Sequence, residues 1–550
     1  MTLPTLNVSM IPAADGNQRI SDPLGEYMPA PEPGTVYYVD PVRGNDAGGW
    51  QVNGSETNAA KNLQYVIDQG VLGPGVTINL MAGTYWEAPK PSIYLAPACF
   101  HLKTTDGGEE GNLCTIQAAP GHEGRVIFDG QGPDGSYSYK QIGIYASAIS
   151  YLRMKGLIFI RFSGVAVTWR TCSSGTDPRL GASIIPAVGN EFIDCVFVDL
   201  VEGVSPILKD GNPSAIRNDG NIGMLVQNCF AWNVYTVGQN QRGLLVQGFT
   251  IADLRCTQCT GWSLNHIGWP KQNSVSLDGE VWQIMEIDHC YVEDSYFGLT
   301  QGVMQNNYCA NGHQQFHHNI VVGALSGKSN AHGLTLLQNS RATRWPEYDR
   351  DKIAGRTDHY HNATLIGGNG TYNSYFASGT EFHTVGNITW GGKGTMQIPY
   401  DKVNALEGLH ESDYNVYGTP RNFEASVAGV YGTWVRYNSL SAWQAAQPGD
   451  SVHFSNMQAG QFDPNSVESN DKTECFMDWE NRDFRLPENA PLIGMMPDGS
   501  NPGPYQYGND TQIGCRIPWI DLTQFDQDIP DWLNPGKGTL PLLPSQIPQG

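Results

Sequence analysis

No run of eighteen apolar residues occurs anywhere in this chain, so no segment reads as a membrane-spanning helix. Basic residues are scarce: 32 Lys and Arg stand against 54 Asp and Glu, a formal net charge of −22. So acidic a surface repels nucleic acid and anionic lipid, which excludes both as main partners. A strongly anionic substrate would need a local basic pocket. The opening MTLPTLNVSMIPAADGNQ has no basic n-region and no apolar h-region, so it does not read as a signal peptide. The C-x-x-C of Cys256 and Cys259 has no second pair at zinc-like spacing, and no metal site is expected there. Helical periodicity is missing from the whole middle of the chain.

What the middle has is a repeat. From Gly156 to Asn387 one short pattern returns: polar residues, then a Cys or Asn, then apolar residues at alternate positions. The copies are centred on Gly156, Cys195, Cys229, Cys256, Cys290, Asn319, Asn362 and Asn387, in steps of 39, 34, 27, 34, 29, 43 and 25 residues. Short strands repeating at such a period mark a β-solenoid, with uneven steps where loops bulge out. A solenoid grows one rung at a time, so 550 residues need not mean several domains. The 64 Gly and 34 Pro fit a turn-rich all-β chain.

Rungs stack about 4.8 Å apart, so the Cys and Asn residues are expected in one column at a corner, where amides bond along the stack and small thiols fill the turn. That explains the column cysteines better than disulfides do. Positions +1 and +3 from each are mostly apolar (Val196 and Val198, Phe230 and Trp232, Ile320 and Val322, Ala363 and Leu365, Ile388 and Trp390). Period two puts them on one side, read here as the coil interior, with the +2 residues pointing out.

In chain order, residues 1–35 form a Pro- and Gly-rich arm without periodicity. Strand-like VYYVD at 36–40 leads to GND at 44–46, an amphipathic helix at 62–68 that can cap the coil, and then VTINL and AGTY at 76–85. CTIQA at 114–118 and VIFDG at 126–130 read as early rungs. SLSAWQ at 439–444 reads as a short capped helix, and residues 506–550 as a Pro-rich extension past the coil.

The YYVD, GND, KNLQYVID, TINLMAGTY opening, the IQAAPG and VIFDG segments and the closing WENRDFRLPENAPLIG resemble the pectate-lyase-like superfamily. That superfamily holds polysaccharide lyases, β-helix glycosidases and phage tail spikes. The resemblance implies an all-β, single-stranded, right-handed parallel β-helix over residues 36–505, with a cap helix and extended terminal arms. It implies action on an extracellular or cell-surface polysaccharide. With no leader and two arms, the chain is expected to be a tail-spike-like virion protein, and the resemblance implies a homotrimer. A secreted bacterial lyase or hydrolase without its leader, or a glycan-binding module, are the alternatives.

Candidate chemistry sits on an outward patch. The position before the ladder reads Asp194, Asn228, Arg255, His289, His318 and His361 on successive rungs, and the next positions back add Glu286, Gln315 and Asp358 around Asp288, His317 and Tyr360. His359 adds a further imidazole to the same stretch. Glu286 and Asp288 are i, i+2 on a strand and so share a face. Outward columns of a solenoid are polar in any case, yet nothing else in the chain is so dense in titratable groups. Three chemistries fit. Glycoside hydrolysis would pair Glu286 or Asp288 with Asp358. β-Elimination from a uronic acid would use His289, His318 or His361, Tyr360 or Arg255, with Ca²⁺ as the cofactor if the chain is a lyase. Zinc on His359 and His361 lacks a nameable third ligand. Trp262, Trp269, Trp282 and Trp345, on two long excursions, would either stack on sugar rings or pin the loops to the coil.

Overall fold

The computed structural model describes residues 9–12, 18–21, 34–48, 50, 54–88, 98–133, 135, 142–147, 149–162, 165–170, 187–198, 200, 214–232, 246–261, 264–266, 283–295, 299–302, 312–323, 334–337, 355–366, 372–376, 380–392, 394–398, 408–427, 433–507 and 512–524. Trp262, Trp269, Trp282 and Trp345 lie outside them. Among the described residues, three long sheets are built almost wholly of parallel pairs between strands of successive rungs. The first runs from Val36–Val39 to Gly408–Asp413, the second from Gly83–Tyr85 to Val467–Glu468, and the third from Leu264–His266 to Trp434–Tyr437. The chain is a parallel β-helix. The helix Leu63–Asp68 starts at Asn62, whose side chain accepts from the Tyr65 N–H, and it buries Leu63, Val66 and Ile67 in the coil's first core layers. In the N-terminal arm, Ser9–Pro12 and Gln18–Ser21 pair as an antiparallel hairpin.

From Gly156 onward, each described rung turns from the first sheet to the second at one residue in the left-handed region. Gly156, Asp194, Asn228, Gln258, His289, His318, His361, Gly386 and Tyr414 have φ between 51° and 69°. Only glycine adopts this without steric cost, and Asn and Asp tolerate it best. The next residue is the ladder residue, and it points inward. Asn319 Nδ2 donates to Ile287 O at 2.8 Å, while its Oδ1 accepts the Cys290 N–H at 2.9 Å. Asn362, Asn387 and Asn415 repeat both bonds on the following rungs. The thiols imitate the amide more weakly: Cys229 Sγ donates toward Phe192 O, Cys259 Sγ toward Val226 O and Cys290 Sγ toward Cys256 O, at 3.7, 3.5 and 3.4 Å.

This corrects the repeat at one rung. The ladder residue after Cys229 is Cys259, not Cys256; Gln258 takes the corner, and the steps become 30 and 31 residues. Cys256 sits within a strand, in register with Val226 and Ile287, and faces the core from there. Leu157, rather than Gly156, is the ladder residue of its rung.

The faces also reverse. The +2 residues point in: Phe128, Phe159 and Phe197 stack at 5.0 and 5.2 Å along the axis, followed by Ala231, Val292 and Val321. The +1 and +3 residues point out and are nonetheless buried, because the C-terminal segment covers them. Ile158, Val196, Phe230, Tyr291, Ile320, Ala363 and Ile388 pack against Phe476, Phe484, Leu492, Tyr505, Ile513 and Ile517. After Val467–Glu468 pairs with Val416–Tyr417, the chain therefore runs back along the outside of the second sheet. At Gly124, near the first rungs, an added Cβ would meet Trp519 O at 2.4 Å. Residues 512–524 lie along the coil, where an extension past it was expected.

The helix Leu440–Gln444, capped by Ser439, brings Trp443 Nε1 to 2.6 Å from the Asp463 carboxylate, which also accepts from Asn415 and Tyr417. That network closes the last rung.

His359 shows how far register overrides composition. It occupies the inner column after Ile287 and Phe316, edge-on to Phe316 at 5.0 Å, and desolvation lowers its pKa to about 3. It belongs to the core and not to the outward patch. A folded pKa below the unfolded value means the unfolded chain binds the extra proton. Stability attached to His359 is therefore full above about pH 6.5 and lost as pH falls toward about 3, and in urea titrations His359→Phe should flatten that acid slope. Asn319→Ala should cost about 1–3 kcal/mol for each of the two backbone groups it leaves unpaired; Asn319→Cys, which keeps a weak donor, should cost less in the same titration.

Candidate active site

On the outer side of the first sheet, three columns carry the polar side chains. Register places Leu225, Arg255, Glu286, Gln315, Asp358, His383 and Glu411 in one row, and Gln227, Thr257, Asp288, His317, Tyr360, Val385 and Asp413 in the next. The left-handed corner residues form the third. Of the residues in the sequence-based patch, register brings Glu286, Asp288, His317, Asp358 and Tyr360 together beside the corner residues His289, His318 and His361. Arg255 moves: it stands in register with Glu286, and Gln258 fills the corner position assigned to it.

The corner supplies the geometry. Because one residue per rung holds the same backbone conformation, its side chains leave the coil in parallel, one rung spacing apart. His289 and His318 stack with centroids 4.9 Å apart and planes within 6°, and His318 and His361 stack at 5.0 Å. Asp288 Oδ2 accepts from His289 Nδ1 at 2.7 Å and from Thr257 Oγ1 at 2.8 Å. Glu286 Oε1 lies 2.7 Å from His317 Nε2, and His317 Nδ1 lies 3.0 Å from His318 Nδ1. Tyr360 stacks on His317 at 4.6 Å. Thr257 is a participant that the sequence reading missed; its place follows from register with Asp288 alone.

Burial divides the patch. Glu286, Asp288, Gln315, Asp358 and His361 are buried, whereas His289 is 23% exposed and His318 is half-buried. The C-terminal segment flanks the accessible pair. Asn501 O meets His361 Nδ1 at 2.9 Å and Gly503 N donates to Gly386 O, while Gly514 N donates to His289 O and Arg516 N to Asn228 Oδ1. His318 is the corner residue between those two anchorages.

Electrostatics give the imidazoles distinct roles. Burial lowers the His318 pKa well below its ordinary value, reinforced by His361, His317 and His289, while Asp288 opposes weakly. His318 is therefore neutral at neutral pH. A carboxylate can only accept, so His317 Nε2 carries the proton shared with Glu286. In the tautomer that leaves His317 Nδ1 bare, that atom accepts from His318 Nδ1–H, and His318 then presents an Nε2 lone pair. A carboxylate-oriented pair of imidazoles ending in a neutral ring is an arrangement for taking up a proton. Glu286, Asp288 and His317 also hold ligand atoms within 4.8 Å of one another, so the same three could hold a divalent ion.

The lowered His318 pKa fixes the pH behaviour of any reaction it serves as base. In kcat/KM profiles the acid limb should fall well below pH 6.5, and Glu286→Gln, which keeps an acceptor for His317 but removes the negative charge behind it, should displace that limb. Because Asp288 is buried and doubly bonded, Asp288→Asn should also lower the thermal melt, unlike a change at a solvated carboxylate.

No family model and no curated protein sequence matches the chain. Among solved structures it is similar to the pectate lyase Pel9A, with 15% identity, TM-score 0.45, and coverage of 86% of this chain and 96% of that one. It is similar to a rhamnogalacturonan lyase (16% identity, TM-score 0.41, 65% and 82% covered) and to a glycoside hydrolase (9% identity, TM-score 0.39, 66% and 96% covered).

Proposed function

We propose that this chain binds and cleaves an extracellular or cell-surface polysaccharide, and that the reaction is β-elimination from a uronic acid residue. The observation that supports it is the Glu286–His317–His318 relay, which ends in a neutral, half-buried imidazole on an open corner. His318 Nε2 takes the proton α to the sugar carboxylate, the electron pair forms the C4–C5 double bond, and the C4–O bond breaks. His289, held through Nδ1–H by Asp288 and 4.9 Å away, would enter the step as the imidazolium, give its Nε2 proton to the departing oxygen and be left as the neutral ring. Hydrolysis is less well served, because the carboxylates of Glu286 and Asp288 are each already engaged by an imidazole. Ca²⁺ at the substrate carboxylate would fit an elimination and remains part of this proposal.

A panel of polysaccharides tests it. Ultraviolet absorbance from an unsaturated product, lost by about 10²–10⁴-fold in His318→Ala, is the expected result. New reducing ends without that absorbance would indicate hydrolysis, and tight binding with no new ends a glycan-binding module. A trimeric, tail-spike-like arrangement is a separate proposal about the terminal arms. Light scattering on the full chain should then give three times 60.1 kDa, and a monomer mass would overturn it.

A further inference from the structure

One rung beyond Asp358, at the C-terminal end of the same outer face, a second cluster stands apart from the imidazole relay. Glu381 and His383 are i, i+2 on one strand and project together. The neighbouring strand Gly408–Asp413 carries a bulge: Phe382 pairs with Leu409, but His383 pairs with Glu411, so His410 is an extra residue. Bulges re-aim side chains, and this one adds a second imidazole beside Glu381 and His383 without losing the carboxylate of Glu411. Ligand atoms of Glu381, His383 and His410 all lie within 4.8 Å of one another. The rings of His383 and His410 stack at 5.7 Å.

His383 is held from both ends. Its Nε2 is 2.6 Å from Glu381 Oε1 and its Nδ1 is 3.1 Å from Glu411 Oε2. Two ionised carboxylates cannot both be satisfied by a neutral imidazole, which has a single N–H. Either a second proton on the ring or a divalent cation between Nε2 and Glu381 resolves this; the cation takes the place of that proton, and Nδ1–H still donates to Glu411. That is the carboxylate–histidine–metal arrangement in which an outer carboxylate fixes the ligand's tautomer. Asn456 Nδ2 sits 2.9 Å from His410 Nε2 and could orient that ring, its amide turning to accept if Nε2 carries the proton. Two imidazoles with one carboxylate select zinc-class ions over Ca²⁺ or Mg²⁺, and leave a fourth position open. Glu381 is 27% and Glu411 21% exposed, so an ion has a way in.

The geometry points to a zinc-class divalent metal site formed by Glu381, His383 and His410, with Glu411 orienting His383. The ion would tie together the two rungs that end the first sheet. Calorimetric titration of the chelator-treated, full-length chain with Zn²⁺ should show, besides whatever Glu286, Asp288 and His317 or the thiols of Cys256, Cys259 and Cys290 bind, one site with proton release and a raised melting temperature, and Ca²⁺ should not reproduce it. His410→Ala and Glu381→Gln should each abolish the site, Glu411→Gln should weaken it about 10–100-fold, and His317→Ala, which disables the other mixed cluster, should leave it intact. Circular dichroism melts of each variant separate lost binding from lost fold. No Zn²⁺ site in the wild-type chain, an undiminished number of sites in either folded His410→Ala or folded Glu381→Gln, or no further loss when His410→Ala is added to His317→Ala, would overturn the assignment.

Discussion

The left-handed corner is the constraint on which this molecule depends. A rung that turns through one residue at positive φ leaves a ladder N–H and a nearby carbonyl facing inward without a strand partner. Burying either unpaired would cost about 1–3 kcal/mol. The ladder residue of the next rung supplies both missing bonds with one amide, or approximates them with one thiol. Asn319, Asn362, Asn387 and Asn415 are therefore joints between rungs. The cysteines at 195, 229, 259 and 290 do the same work where the coil is lined by Phe159, Phe197, Ala231 and Val292.

The same corner generates the candidate chemistry. Non-glycine residues held in this conformation cost roughly 1–2 kcal/mol each, yet His289, His318 and His361 occupy it on three consecutive rungs. Identical backbone geometry forces their rings to stack at the rung spacing. Burial, with the neighbouring imidazoles of His361, His317 and His289, keeps His318 neutral, and the strand residues Asp288, Glu286 and His317 surround it with hydrogen-bonding partners. Site and fold thus share one structural device.

The C-terminal segment makes the second sheet a two-sided core. Its apolar residues cover Val196, Phe230, Ile320 and Ile388 from outside, and its backbone is bonded to the corner at Asn228, His289, His361 and Gly386. At about 25 cal/mol for each Å² of apolar surface buried, a strap touching so many rungs stabilises the coil along its length and fixes how far the corner opens to solvent.

The sequence by itself determined the repeat, the parallel stack and the columns that hold Glu286, Asp288, His317, Asp358, Tyr360 and the three corner histidines, because a period-two strand and a periodic Cys or Asn leave a linear trace. It could not determine which side of the second sheet faces inward. Val196, Phe197 and Val198 are all buried, and alternation carries no sign once both faces are covered. Nor could it choose between Cys256 and Cys259, since either spacing closes a rung and only the backbone angle at Gln258 distinguishes them. His359 looked like its neighbours until register placed it behind Phe316. Tertiary structure alone decided that the terminal segment folds back as a strap, because the apolar residues it carries found their partners hundreds of positions earlier in the chain.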